Sequence, residues 1–243
     1  MFSKNNKKAF TFSEVLIAMT VVGVLAVVLI PTLSTNSKRK NVVAIVRENF
    51  SILSNAYELC VLNHDAPSEW ELDSGGTQKS KNINLANKFL QYLNTIEDCS
   101  GKDINYVKNN CYKKVANDSE TAYVVLSNGQ ILGFTTIDAN CADKSYFPNK
   151  SVCGEIDLIL NTYANSYGKD VFQFFVTNKG VVTFGFRDAN HTFKLGCNLN
   201  ENTPYSAPFY NMSTCTAWVV YRENMDYLDC PGELDWNTNG KCK

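Results

Sequence analysis

Lys7-Lys8-Ala9-Phe10-Thr11-Phe12-Ser13-Glu14 opens directly onto Val15-Leu16-Ile17-Ala18-Met19 and an apolar run that lasts to Leu33. The run is 19 residues long and carries no charge. About 20 apolar residues suffice to cross a bilayer as a helix. Glu14, at the edge of the run, is the unusual residue, because a carboxylate inside a membrane span costs about 2.5–3.5 kcal/mol and asks for a partner. A plain anchor has no use for one. A secretory signal peptide also pairs a basic start with an apolar run, but its apolar region spans about 7–15 residues and closes on an A-x-A-like site. No such site follows Leu33, and no cysteine follows it to suggest a lipoprotein.

Flanking charge does not orient the segment. Lys4, Lys7 and Lys8 on one side balance Lys38, Arg39 and Lys40 on the other, and the positive-inside rule counts such residues on the two sides. Beyond Pro31, the residues Val42, Ile45, Val46, Phe50, Leu53, Ala56, Tyr57 and Cys60 recur at three- and four-residue spacing and draw one apolar stripe on a helix. Lys40, Arg47, Glu48 and Asn55 fill its other faces. From Glu14 to Leu62 the helical pattern is roughly 70 Å long if unbroken, at about 1.5 Å per residue. Gly23 and Pro31 are the places where it could bend or melt.

Past this helix the pattern changes to loops around an antiparallel sheet. Ala122–Leu126 and Gln130–Thr135 flank Asn128-Gly129, a dipeptide that tolerates the positive φ of a tight hairpin turn. Val171–Thr177 and Val181–Phe186 flank the three-residue loop Asn178-Lys179-Gly180. A further strand is expected at Ala217–Tyr221, a loop over 63–82 and a short helix over Ile83–Tyr92. The aromatic set Phe172, Phe174, Phe175, Phe184, Phe186, Trp218 and Tyr221 falls on these strands and is expected to be core. The expected fold class is α+β. A long N-terminal helix, membrane-spanning over about 14–33 and amphipathic beyond, packs on an antiparallel sheet with disulfide-stapled loops.

All nine cysteines occur from Cys60 onward, so a disulfide framework built outside the reducing cytosol is expected for the body. No C-x-x-C pair exists, and His64 and His191 have no cysteine at zinc-ligand spacing. Short-range candidates are Cys99 with Cys111, Cys141 with Cys153 and Cys215 with Cys230, with Cys60 as one possible leftover thiol. Basic residues number 23 and acids 24. Loss of Lys4, Lys7 and Lys8 with a leader leaves 20 against 24, which disfavours general nucleic-acid binding. No phosphate-binding glycine loop and no histidine within a nucleophile motif occurs, so no catalytic residue is assigned.

The N-terminal block resembles the prepilin segment of type IV pilins and of the pseudopilins of type II secretion. In that pattern a short basic leader ends in a small residue, the mature chain begins with Phe, the fifth mature residue is Glu, and the apolar helix contains a Gly and then a Pro. Ala9, Phe10, Glu14, Gly23 and Pro31 fill these places, with Ala9 standing where the family usually has Gly. The resemblance is specific over 7–33 and general to about residue 62. It implies a leader at 1–9, a helix over 10–62 and an exported head over 63–243. It further implies cleavage between Ala9 and Phe10 by a prepilin peptidase, N-methylation of Phe10, and a Glu14 carboxylate paired with the Phe10 amine of a neighbouring subunit. Pairing relieves two charges that are costly alone in a low-dielectric core, so it acts as a register device.

The implied protein is a bacterial inner-membrane subunit, single-pass, with its N-terminus cytoplasmic and its head outside. It associates with itself, with other pilins or pseudopilins, with lipid and with an assembly platform, and passes into a pilus or pseudopilus. Two other readings stay open: a minor or competence pilin whose head binds DNA or a surface, and a membrane-tethered binding module that never polymerises. Some pseudopilins also carry calcium in a loop near their C-terminal strands. Asp157, Asn161, Asn165 and Asp170 offer oxygen ligands of the right kind. The same residues are ordinary turn formers, and their spacing is not that of an EF-hand.

Overall fold

Helix α1, Phe12–His64, is 53 residues long and continues through Gly23 and Pro31. The computed structural model describes residues 12–147, 149–185, 193–197 and 214–243; within α1 the side chains of residues 14 and 23–34 lie outside that description. Two compact units result, Met1–Asn41 and Val42–Lys243. Among the described residues no helix is long and apolar enough to cross a membrane. Much of the span expected over 14–33 lies outside the described side chains.

In the second unit the stripe on α1 is buried as its spacing demands. Val43, Val46, Leu53, Ala56, Tyr57 and Cys60 are core, Val42, Ile45 and Phe50 are half-buried, and Arg47, Glu48 and Asn55 are exposed. Asn49 is the exception within the stripe. It is fully buried, and its Nδ2 donates back to the Ile45 carbonyl at 2.9 Å.

The sheet is a six-stranded antiparallel meander, β1 Thr95–Asp98, β2 Ala122–Leu126, β3 Ile131–Thr136, β4 Val152–Ile159, β5 Val171–Thr177 and β6 Gly180–Thr183, paired in chain order. The β2–β3 turn carries Gly129 at φ +85°, a left-handed conformation that favours glycine. The second hairpin closes over Asn178-Lys179, because Gly180 joins β6 and pairs with Thr177. β6 ends at Thr183, and Phe186 lies outside the described residues.

Helix α2, Gln78–Leu90, begins five residues before the expected helix and ends two before its expected close at Tyr92. The Thr77 and Ser80 side chains cap it reciprocally, which satisfies backbone N–H groups otherwise left open at a helix start. Elements not expected include β1, β4 and the helix α3, Ile104–Asn110, whose cap Asp103 accepts from the Asn105 and Tyr106 amides. The described C-terminal half adds α4, Phe193–Gly196, and α5, Cys215–Arg222.

α5 corrects the expected strand at Ala217–Tyr221. Its β-branched and aromatic composition suits a strand, yet Cys215 through Val220 are all buried as a helix that ends at a left-handed Glu223. A short apolar run cannot be assigned to strand or helix by periodicity alone. Of the aromatic set, Phe172, Phe174, Phe175, Phe184 and Trp218 are core, whereas Tyr221 is half exposed.

Four disulfides occur among the described residues: Cys99–Cys111, Cys141–Cys153, Cys197–Cys215 and Cys230–Cys242. The expected Cys215–Cys230 pair is therefore replaced. Cys215 starts α5 and lies 4.9 Å, Cα to Cα, from Cys197 at the end of α4, while the eight residues of α5 carry the chain away before Cys230. Cys60 is the free thiol. It is buried and hydrogen-bonded to the Lys88 carbonyl, and burial pushes its pKa up to about 12.

Candidate functional site

The two faces of the sheet bury different chemistry. One packs Ala122, Val124, Leu132, Phe134, Ile156, Leu158, Phe172 and Phe174 into the main core with the buried stripe of α1 and with α2. The other carries Tyr123, Gly133, Asp157 and Gln173 in one row across β2, β3, β4 and β5, and Thr135 and Glu155 in the next. Gly133 leaves room for the Tyr123 ring, since a Cβ there would lie 3.0 Å from its Cε1. The segment after α3 and the β4–β5 connection cover this face, bringing Tyr112 and Tyr167 over the row.

At its centre are two acids on one face of β4. Glu155 Oε2 accepts from Gln173 Nε2 at 2.7 Å, and Asp157 Oδ2 accepts from the Tyr167 hydroxyl at 2.9 Å. Asp157 Oδ1 is sealed from solvent and has no hydrogen-bond partner among the described residues. Both carboxyls are pushed above their usual range by burial, and Glu155 further by the neighbouring Asp157. Burial likewise raises Tyr112 to about 12 and raises Tyr123 and Tyr167, so all three hydroxyls stay protonated. A cleft of about 270 Å³ opens beside them, lined by Tyr112, Tyr123, Asp157, Asn165 and Tyr167, with Lys114 at its edge.

Of the four calcium candidates, Asp157 thus belongs to a strand and the other three to the β4–β5 connection. Asn161 Oδ1 accepts from the Tyr163 amide, Asn165 Oδ1 from the Ser166 hydroxyl, and Asp170 Oδ1 from the Asn165 and Ser166 amides. These are the bonds of turn-forming side chains. Among the described residues no group of three or more His, Cys, Asp or Glu stands as a metal cluster. Sequence reasoning missed Glu155, Gln173 and the three tyrosines. The signal available was the alternation of Glu155 and Asp157 with Ile156 and Leu158, which reads as a strand with one polar face.

The N-terminal segment is of another kind. Ala9 and Phe10 lie outside the described residues. Glu14 lies on α1, its side chain outside the described residues. Behind it Val15, Leu16, Ile17, Met19, Val21 and Val22 are all exposed, and their positions surround the helix instead of marking one side. Thr20 Oγ1 donates to the Ile17 carbonyl at 2.8 Å, so the hydroxyl within this stretch is satisfied by the helix itself.

This chemistry coincides with a family match. Residues 4–30 match the model described as the prokaryotic N-terminal methylation motif, the prepilin-type signal of type IV pilins and pseudopilins. No curated protein and no solved structure matches the chain. The match defines the chain as one that carries a substrate motif for prepilin peptidase.

Proposed function

We propose that the protein is a structural subunit of a type IV pilus or a type II secretion pseudopilus. In this reading prepilin peptidase cuts between Ala9 and Phe10, the new Phe10 amine is methylated, and Val15–Leu33 holds the subunit in the inner membrane until it is drawn into a filament. The observation that carries the reading is the motif match over residues 4–30, joined to a helix whose exposed apolar residues surround it. A helix apolar all round is at home in lipid or among other helices, not in water.

Glu14 has the central part. Its carboxylate pairs with the Phe10 amine of the adjacent subunit, and mis-stacked subunits leave a buried charge alone, which is strongly destabilising. Residues 42–64 of α1 and the sheet form the head, similar in plan to a pilin head, with disulfides that suit an oxidising compartment.

Intact mass of the native protein, with filament recovery, tests the proposal. The expected chain begins at Phe10 and is one methyl group heavier than the bare sequence; a chain beginning at Met1 overturns the reading. Glu14→Ala is expected to be cut normally yet to enter filaments at a yield reduced on the order of tenfold, equivalent to about 1.4 kcal/mol. Processed Glu14→Ala entering filaments at full yield removes the charge-pair step. Native protein that is processed but never found in a filament favours the tethered module.

A further inference from the structure

Glu155 and Asp157 are a half-buried acid pair with no salt-bridge partner among the described residues. Residues two apart on a strand share a face about 7 Å apart along the chain, within reach of each other's carboxyls. The groups that face the pair come from every element around it: Tyr112 and Lys114 after α3, Tyr123 from β2, Tyr167 and Asp170 from the β4–β5 connection, and Gln173 from β5, whose backbone N–H donates to Thr216 Oγ1 of α5. Lys114 is exposed, and among the described residues neither acid has a salt-bridge partner. The donors that do reach the acids are neutral, the Gln173 amide and the Tyr167 hydroxyl. They leave Asp157 Oδ1, an acceptor sealed from solvent, with nothing to accept from among the described residues. An ionised pair in such a place sets two like charges against each other and leaves one acceptor unpaired, and a shared proton removes both faults at once.

We propose that Glu155 and Asp157 hold one proton between them, the Glu155 carboxyl donating to Asp157 Oδ1, and that this proton latches the β4–β5 connection to the sheet through Tyr167. Asp157 stays ionised and accepts from both Glu155 and Tyr167. Loss of the proton sets two carboxylates against each other under the connection that Tyr167 holds. Tyr112 and Tyr227 hold the same connection at the Ala164 and Gly168 carbonyls, so its loosening reaches both the Cys99–Cys111 and the Cys230–Cys242 regions of the head.

The unfolded chain releases these protons in the ordinary carboxylate range, whereas the native pair, shifted upward by burial, keeps one to higher pH. Between those limits the native state binds more protons than the unfolded state, so stability falls as pH rises. One retained proton changes the folding constant about tenfold per pH unit.

The test uses the full-length chain in detergent, with carboxyl-¹³C-labelled Glu and Asp followed by NMR through a pH titration, and with unfolding measured in parallel. The expected result is one proton leaving the pair above the ordinary carboxylate range, identically with and without a chelator. Glu155→Gln, whose amide donates without titrating, is expected to keep the head folded and to flatten the pH slope by about tenfold per unit. Independent titration of both acids in the ordinary range overturns the proposal, even where the variant does not fold. A slope unchanged in Glu155→Gln also overturns it, as does a titration that moves when the chelator is added, which makes a cation and not a proton the neutralising group.

Discussion

The Tyr227 hydroxyl donates to the Gly168 carbonyl at 2.6 Å, tying the C-terminal segment to the β4–β5 connection across 59 residues of chain. Tyr227 is fully buried. Tyr227→Phe keeps the ring and leaves a buried carbonyl without its donor, which costs about 1–3 kcal/mol. Chemical denaturation is expected to show that loss, with amide exchange rising first over residues 160–170. Unchanged stability and exchange in the variant would show that the bond does not hold the connection.

Gly154 on β4 lies directly beneath α2. A Cβ at this position would fall 2.5 Å from Leu85 Cδ2 and 2.6 Å from the Thr135 carbonyl oxygen, and the latter is fixed in the β3–β4 ladder. Gly154→Ala is therefore expected to destabilise the head by about 1–3 kcal/mol through overpacking. Gly129→Ala is strained by φ alone, because nothing lies within 4 Å of its Cβ position. Parallel thermal melts of the two variants separate the mechanisms, and equal, negligible losses in both would discard the close-packing argument.

The Asn82 side chain is spent on three partners. Its Oδ1 accepts from the Thr136 amide at 2.7 Å and from Gln78 Nε2 at 2.8 Å, and its Nδ2 donates to the Glu120 carbonyl at 3.0 Å; with the helix backbone it pins α2 to both β3 and the chain entering β2. Asn82→Ala leaves the buried Thr136 amide unpaired and is expected to cost about 1–3 kcal/mol in urea unfolding. Asn82→Asp, which retains the acceptor and loses the donor, is expected to fall between wild type and Ala; a variant worse than Ala contradicts this partition.

Cys60 is buried with its thiol pushed up to about 12, and reactivity follows the thiolate. Without reductant, the native protein is expected to take up no alkylating reagent at Cys60, and to take up one equivalent there once denatured. Rapid labelling of Cys60 in the native state, read by peptide mass mapping, would place α1 and α2 apart at Lys88.

The parts of the fold legible in the chain are those set by near neighbours. Residues 42–60 alternate at helical spacing and bury the stripe so marked, because one helix face meets one core. Asn128-Gly129 and the flanking strands formed a hairpin where the dipeptide called for one, as turn chemistry is local. β4 was obscured by Gly154, Glu155 and Asp157, all depleted in strands. It exists because β3 and β5 offer ladders on both of its sides, a fact that no window of the chain contains.

The N-terminal motif was legible for a related reason: Ala9, Phe10 and Glu14 stand together in the chain, and the chemistry they imply needs no fold to assemble it. The sequence by itself determined that motif, the long helix and its buried stripe, and the hairpin turns. Only the tertiary structure decided that Cys215–Arg222 is a helix, that Cys215 joins Cys197, and that Glu155 and Asp157 share a sheet face covered by Tyr112 and Tyr167. A short apolar run takes whichever conformation its surroundings can pair and bury. A carboxyl's protonation follows the solvent it has lost, and both depend on residues distant along the chain.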